Sequence, residues 1–362
     1  MIKLLVVDDS ALMRRLLGEI FGAEADFDVL TARDGLEALD LLQSYAPDVV
    51  TLDVHMPQMD GLECLDRIMV ERPCPVVMVS SLTADGADAT LKALRLGAVD
   101  FIPKPDGAVS LGIHDMAPEL VRTVRAAAGA KLRPSLRLAE KVRHRIGAAT
   151  RKPRPVRAAP RPAPERAPER ATGEGLVLVG TSTGGPPALE ALLTPLPADF
   201  PWPIVVVQHM PATFTGPLAR RLDGICALSV SEVVQPTLLK RGCVYIGKGD
   251  ADVIISRRAA GLVAMAAPGL KDYLWHPSTD RLVRSAMELL PPEQLIGVLM
   301  TGMGNDGAEA MAQLRALGGR TIAEAEETAV VWGMPGELVK AGGADWIEPL
   351  PCIASRLRTL TP

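Results

Sequence analysis

From Met1 to about Leu132, short apolar runs recur at intervals that leave room for a helix between them: K-L-L-V-V-D-D, D-V-L-T-A, D-V-V-T-L-D, P-V-V-M-V-S-S and A-V-D-F-I-P-K-P. Strand-like runs alternating with helical patterns predict five βα repeats, hence a five-stranded parallel sheet covered by helices on both faces, in a flavodoxin-like fold. Past Arg133 this pattern stops, and from Thr150 to about Gly173 the chain is almost wholly Pro, Ala, Arg and Glu. That composition cannot build a core and reads as a semi-rigid spacer. From Gly175 the alternation resumes with G-L-V-L-V-G, P-I-V-V-V-Q-H, C-V-Y-I-G, L-V-A-M-A and L-I-G-V-L-M-T-G. The expected organisation is an α/β domain over 1–132, a linker over 133–174, and a doubly wound α/β domain with a mostly parallel sheet over 175–362.

Composition narrows the class of protein. A chain of 362 residues suits two cores. Although 48% of it is hydrophobic, no run approaches the roughly 20 apolar residues of a membrane-spanning helix, so no membrane insertion is expected. The N-terminus reads as a first strand ending in two carboxylates, without an export signal. Cys64, Cys74, Cys226, Cys243 and Cys352 are odd in number and lack C-x-x-C spacing, which argues against a disulfide framework or a zinc site and fits the cytoplasm. A net charge of −4 offers no general attraction to nucleic acid or anionic lipid. The spacer has a positive excess, but glutamates interrupt it and it lacks aromatic residues for base stacking. There is no helix-turn-helix pattern with a basic recognition helix, so no nucleic-acid partner is expected.

In an open parallel sheet, ligands gather beyond the carboxyl ends of the strands. Asp8 and Asp9 end the first run, Asp53 the third, Ser80 the fourth, and Lys104 follows the fifth. A lone aspartate at a strand end is ordinarily a turn residue, but five such groups at one edge call for a ligand. Three carboxylates repel one another unless a hard cation sits among them, which points to Mg²⁺ at Asp8, Asp9 and Asp53. A phosphoryl group on Asp53 would then meet Mg²⁺, the Lys104 ammonium and the Ser80 hydroxyl.

These residues, within V-D-D-S-A-L-M-R, L-D-V-H-M-P-Q-M-D-G, M-V-S-S-L-T and D-F-I-P-K-P, closely resemble the response-regulator receiver family. The resemblance implies phosphorylation of Asp53 by a partner histidine kinase, a backbone position at Val54 or His55 near the metal, and Ser80 with Phe101 as the switch pair reporting phosphorylation. His55 stands where the nearest relatives are expected to carry an acidic residue.

In the second domain, L-V-L-V-G runs into T-S-T-G-G-P-P and a helical stretch from Ala188, placing Ser182 on a tight strand-to-helix turn that exposes its hydroxyl. Glycine-rich turns also cradle nucleotide phosphates, but neither G-x-G-x-x-G nor a Walker lysine is present. His209 ends I-V-V-V-Q, and Asp306 lies in T-G-M-G-N-D-G after another strand. A serine hydroxyl becomes a nucleophile when an imidazole held by a carboxylate takes its proton, and strand ends can assemble such a trio. A single histidine here would ordinarily be structural; the three motifs together point to hydrolysis. His276 in Y-L-W-H-P-S-T-D is a rival base and Asp280 a rival acid, both set lower because that tract reads as a loop.

G-T-S-T-G-G, Q-H-M-P-A-T-F-T, P-S-T-D and T-G-M-G-N-D-G, behind a receiver and a linker, resemble the chemotaxis protein-glutamate methylesterase (CheB) family over nearly the whole chain outside the linker. The resemblance implies Ser182 as nucleophile, His209 as base and acid, and Asp306 as its orienter, with the amides near Thr183 and Met303 as candidates for the oxyanion hole. It also implies hydrolysis of glutamate γ-methyl esters on chemoreceptors, with release of methanol and no cofactor for that hydrolysis, and deamidation of receptor glutamines. A monomer associated with receptor arrays and regulated by obstruction is the further implication: the unphosphorylated receiver covers the Ser182 cleft. Trp275 and His276 stand where a more basic pair is expected, and R-T-I-A-E-A-E-E-T lacks an expected amide residue, so both tracts bear on substrate choice. An adaptor that binds receptors or kinase without turnover is the alternative, and a nucleotide-binding domain at the turn from Thr181 to Gly185 a third. An adaptor has no need of all three hydrolytic motifs.

Overall fold

The computed structural model describes residues 1–81, 83–104, 109–132 and 175–361; the spacer expected over 133–174 lies outside the described residues. In the N-terminal domain, β1 (Ile2–Val7), β2 (Phe27–Ala32), β3 (Val49–Asp53), β4 (Val76–Ser80) and β5 (Asp100–Pro103) alternate with α1 (Ala11–Gly22), α2 (Gly35–Ser44), α3 (Gly61–Glu71), α4 (Ala84–Leu96) and α5 (Val109–Ala128). The strands pair in parallel in the order β2-β1-β3-β4-β5. Every residue of β3 and β4 is buried, because helices cover both faces, and this is why both read as unbroken apolar runs. Ser10, Asp34 and Asp60 cap the first three helices by accepting from the amides of Met13, Glu37 and Glu63. The strand order reverses between β1 and β3, so their carboxyl ends flank a crevice containing Asp8 and Asp53.

The second domain is built on a seven-stranded sheet in the order β15-β14-β13-β6-β7-β10-β8, parallel at every pairing. These strands are β6 (Leu176–Thr181), β7 (Ile204–Gln208), β8 (Ser229–Val233), β10 (Cys243–Gly247), β13 (Leu295–Leu299), β14 (Arg320–Glu324) and β15 (Trp346–Glu348). The helices are α6 (Gly185–Leu193), α7 (Ala212–Ile225), α8 (Thr279–Met287), α9 (Ala308–Ala316), α10 (Met334–Lys340) and α11 (Leu350–Leu360). The run L-V-A-M-A lies outside the main sheet: it belongs to β12 (Gly261–Ala267), which pairs antiparallel with β11 (Asp252–Arg258) and β9 (Thr237–Leu238). Strands β8 and β15 gave no apolar run because they are sheet edges; β8 alternates exposed serines with buried valines.

Two further expectations are corrected. Helix α6 begins at Gly185, three residues before Ala188, because Pro186 and Pro187 fit the first helical positions, where no amide donor is needed. Within Y-L-W-H-P-S-T-D the loop ends at Ser278, and Thr279 and Asp280 already open α8: Ser278 accepts from the Arg281 amide as N-cap.

The domains meet along β5, α4 and α5 of the first and α6 and α7 of the second. Phe101 packs on Phe214 with ring centroids 4.3 Å apart, Lys131 N donates to Val330 O at 3.1 Å, and Val330 joins apolar residues of the N-terminal core.

Candidate functional site

At the crevice of the first domain, one ligand oxygen from each of Asp8, Asp9 and Asp53 lies within 4.8 Å of the other two. Lys104 Nζ is 2.8 Å from Asp53 Oδ2 and 3.1 Å from Asp8 Oδ2. Asp8 Oδ2 is buried, and apart from this ion pair with Lys104 it has no hydrogen-bond partner. Burial pushes the Asp8 carboxyl above its ordinary pKa despite Lys104, and Asp53 adds to the rise. Burial would lower Lys104, but Asp53 and Asp8 hold it above the usual lysine range. An all-oxygen donor set with one orphaned carboxylate oxygen fits a hard divalent cation. Val54 is buried and His55 exposed, with the His55 amide donating to Asp53 Oδ1 at 3.4 Å. Ser80 Oγ donates to Gly86 O at 3.2 Å, so the expected switch hydroxyl is engaged with α4. Its expected partner Phe101 is buried against Phe214 across the domain boundary.

In the second domain, Ser182, His209 and Asp306 converge at the carboxyl ends of β6, β7 and β13. The Ser182 turn is fixed by its backbone: its amide donates to Thr301 O at 3.0 Å, and its carbonyl accepts from Gly185 N and from Gln208 Nε2. Gly185 is required here, since a Cβ would stand 1.9 Å from Gln208 Oε1. His209 Nε2 lies 2.8 Å from Asp306 Oδ2, leaving His209 Nδ1 buried and unpartnered. Asp306 also accepts from Ser278 Oγ and from the amides of Thr279 and Asp280. Burial alone would raise its pKa, but His209 and those donors hold it below the usual carboxylate range. A carboxylate held ionised beside an imidazole can stabilise the ring's protonated form.

Thr183 and Met303, the oxyanion candidates, border the same depression of about 300 Å³ as Ser182 and His209. Its remaining wall includes Asp100, Phe101, Glu119 and Arg122 of the first domain. The rival base His276 pairs instead with Asp252, Nδ1 to Oδ1 at 3.1 Å. Asp280 contributes its own amide to Asp306 and accepts from Ala310 N through its side chain. Sequence reading missed Gln208, Asp252 and the Asp306 clamp at the start of α8. Ser278 and Asp280 immediately before the apolar Leu282 and Val283 were an available cue to a capped helix.

A family profile described as CheB methylesterase matches residues 177–357, and one described as response regulator receiver domain matches 4–111. A protein-glutamate methylesterase/protein-glutamine glutaminase of Rhodopseudomonas palustris is 58% identical over 98% of this chain and 97% of its own length. Another from Rhodospirillum rubrum is 53% identical over 99% of this chain and 95% of its own. Among solved structures, the CheB methylesterase catalytic domain of Thermotoga maritima matches with a TM-score of 0.50 at 38% identity, covering 51% of this chain and 98% of that one.

Proposed function

The chain belongs to the CheB methylesterase family and carries a response regulator receiver domain, and on that premise we propose that it is a phosphorylation-regulated protein-glutamate methylesterase and protein-glutamine glutaminase. Its substrates are chemoreceptors, and a histidine kinase phosphorylates its receiver. The observation that carries the chemistry is the His209–Asp306 pair beside Ser182, with His209 Nδ1 free.

In this reading Ser182 Oγ attacks the γ-carbonyl of a methylated glutamate while His209 Nδ1 takes its proton. The oxyanion develops toward the Thr183 and Met303 amides, whose fixed dipoles stabilise it without reorganisation. Methanol leaves with the proton from His209; water, deprotonated by the same nitrogen, then releases glutamate and Ser182. A glutamine side chain follows the same path with ammonia as leaving group. The adaptor alternative leaves the buried, clamped Asp306 without a purpose.

The receiver residues Asp8, Asp9 and Asp53 would hold Mg²⁺, which supplies charge neutralisation for phosphoryl transfer to Asp53. Ser80, Phe101 and Lys104 respond to the phosphoryl group, and Phe101 transmits the change through Phe214. We divide the chain into receiver (1–132), linker (133–174) and catalytic domain (175–362). The site is complete within one chain, which suits a cytoplasmic monomer working at receptor arrays; among the described residues no helix is long and apolar enough to cross a membrane.

The test is methanol release from methylated receptor membranes, with and without Mg²⁺ and a small phosphoryl donor. Dependence on Ser182, with stimulation lost in Asp53→Asn, supports both halves; phosphorylation without methanol from any receptor favours the adaptor.

A further inference from the structure

One hydrogen bond to Asp306 anchors His209 Nε2 but leaves the imidazole free to swing about that contact. A second constraint lies on its face. The Trp275 indole is stacked parallel to the His209 ring, with centroids 5.6 Å apart and an interplanar angle of 1°. Trp275 is itself held from two sides. Three residues on, the Ser278 amide is tied to Asp252 and its hydroxyl to Asp306. Gly304, at φ +88°, leaves the space the indole fills: a Cβ there would stand 2.7 Å from Trp275 Cζ2. The loops carrying Trp275, Gly304 and Asp306 therefore lock together around one imidazole.

The geometry points to Trp275 as a positioning residue that fixes the plane of His209 beside Ser182 and holds the imidazole steady while a proton passes to and from Nδ1. This rests on the Ser182, His209 and Asp306 reading. An aromatic face attracts a cation within about 6 Å of its centroid. In the proposed reaction the ring gains positive charge as the Ser182 proton reaches Nδ1, so this attraction strengthens toward the transition state. Trp275 thus contributes to kcat, although it stands where sequence comparison alone suggests a substrate-selecting wall.

The experiment uses the full chain and methylated receptor membranes, following methanol release for wild type, Trp275→Phe, Trp275→Leu and Ser182→Ala, with melting curves for each. The expected result for Trp275→Leu is a kcat lower by about tenfold with KM within about twofold of wild type. Trp275→Phe, which keeps an aromatic face, restores most of kcat. If Trp275→Leu melts early, Trp275→Met, closer in volume and without a π-face, replaces it. An unchanged kcat with raised KM would make Trp275 a substrate wall only and overturn the inference, as would a Phe variant no better than Leu. Full turnover by Ser182→Ala would overturn the underlying triad reading instead.

Discussion

Asp100 Oδ2 accepts a hydrogen bond of 2.5 Å from Thr183 Oγ1 across the domain boundary, joining the residue before Phe101 to the residue after Ser182. The regulatory and catalytic domains are thus tied at the cleft itself, beside an oxyanion candidate. Burial pushes the Asp100 carboxyl from 3.8 up to about 6, outweighing the lowering by Thr183, while Glu119 adds to the rise.

The second domain helps cover Asp100, and the part of this burial that docking adds makes docking take up protons. Docking is strongest below the ordinary carboxylate pKa, weakens as pH rises through about 6, and is flat above. The ratio of phosphorylated to unphosphorylated activity should therefore grow as pH falls from 6.5 toward 5, roughly the window set by linkage. Asp100→Asn keeps the acceptor and removes the charge, so its ratio should be nearly independent of pH, with a lower basal rate at neutral pH. Methanol release measured across pH for both proteins checks this; an unchanged pH dependence in the variant would remove Asp100 from the latch.

Phe101 and Phe214 form the apolar part of the same contact. Phe101→Ala should loosen docking and raise the basal rate by roughly five- to tenfold, with little further stimulation by phosphoryl donor. A double-mutant cycle with Phe214→Ala should yield a coupling of about 0.5–1.5 kcal/mol in the docking equilibrium.

Ser278 serves two ends, capping α8 and donating to Asp306. Ser278→Ala should cost about 1–2 kcal/mol of stability, visible as a lower Tm, and should reduce kcat because Asp306 loses a donor. Ser278→Thr, which keeps the hydroxyl, should recover most of both.

Removing divalent cations separates the two domains functionally. With chelator present, a small phosphoryl donor should no longer stimulate methanol release, while the basal rate persists. Restoring Mg²⁺ should restore stimulation in wild type but not in Asp53→Asn.

The two α/β domains and the residues at the strand ends were legible in the sequence. Buried parallel strands require continuous apolar runs, and those runs point directly at Asp8, Asp53, Ser182 and His209 just beyond them. Runs alone could not show that L-V-A-M-A leaves the main sheet, because pairing direction depends on which strands become neighbours. Nor could they expose β8 and β15, whose edge positions demand little apolar content. Tertiary structure alone decided that Nε2 rather than Nδ1 of His209 pairs with Asp306, by joining it to a carboxylate 97 residues away. It also turned P-S-T-D into the clamp on Asp306, set Trp275 on the imidazole, and brought Asp100 to Thr183 across 83 residues of chain. Periodicity is a local property of the chain, whereas each of these contacts depends on strand order and domain docking, which no local pattern encodes.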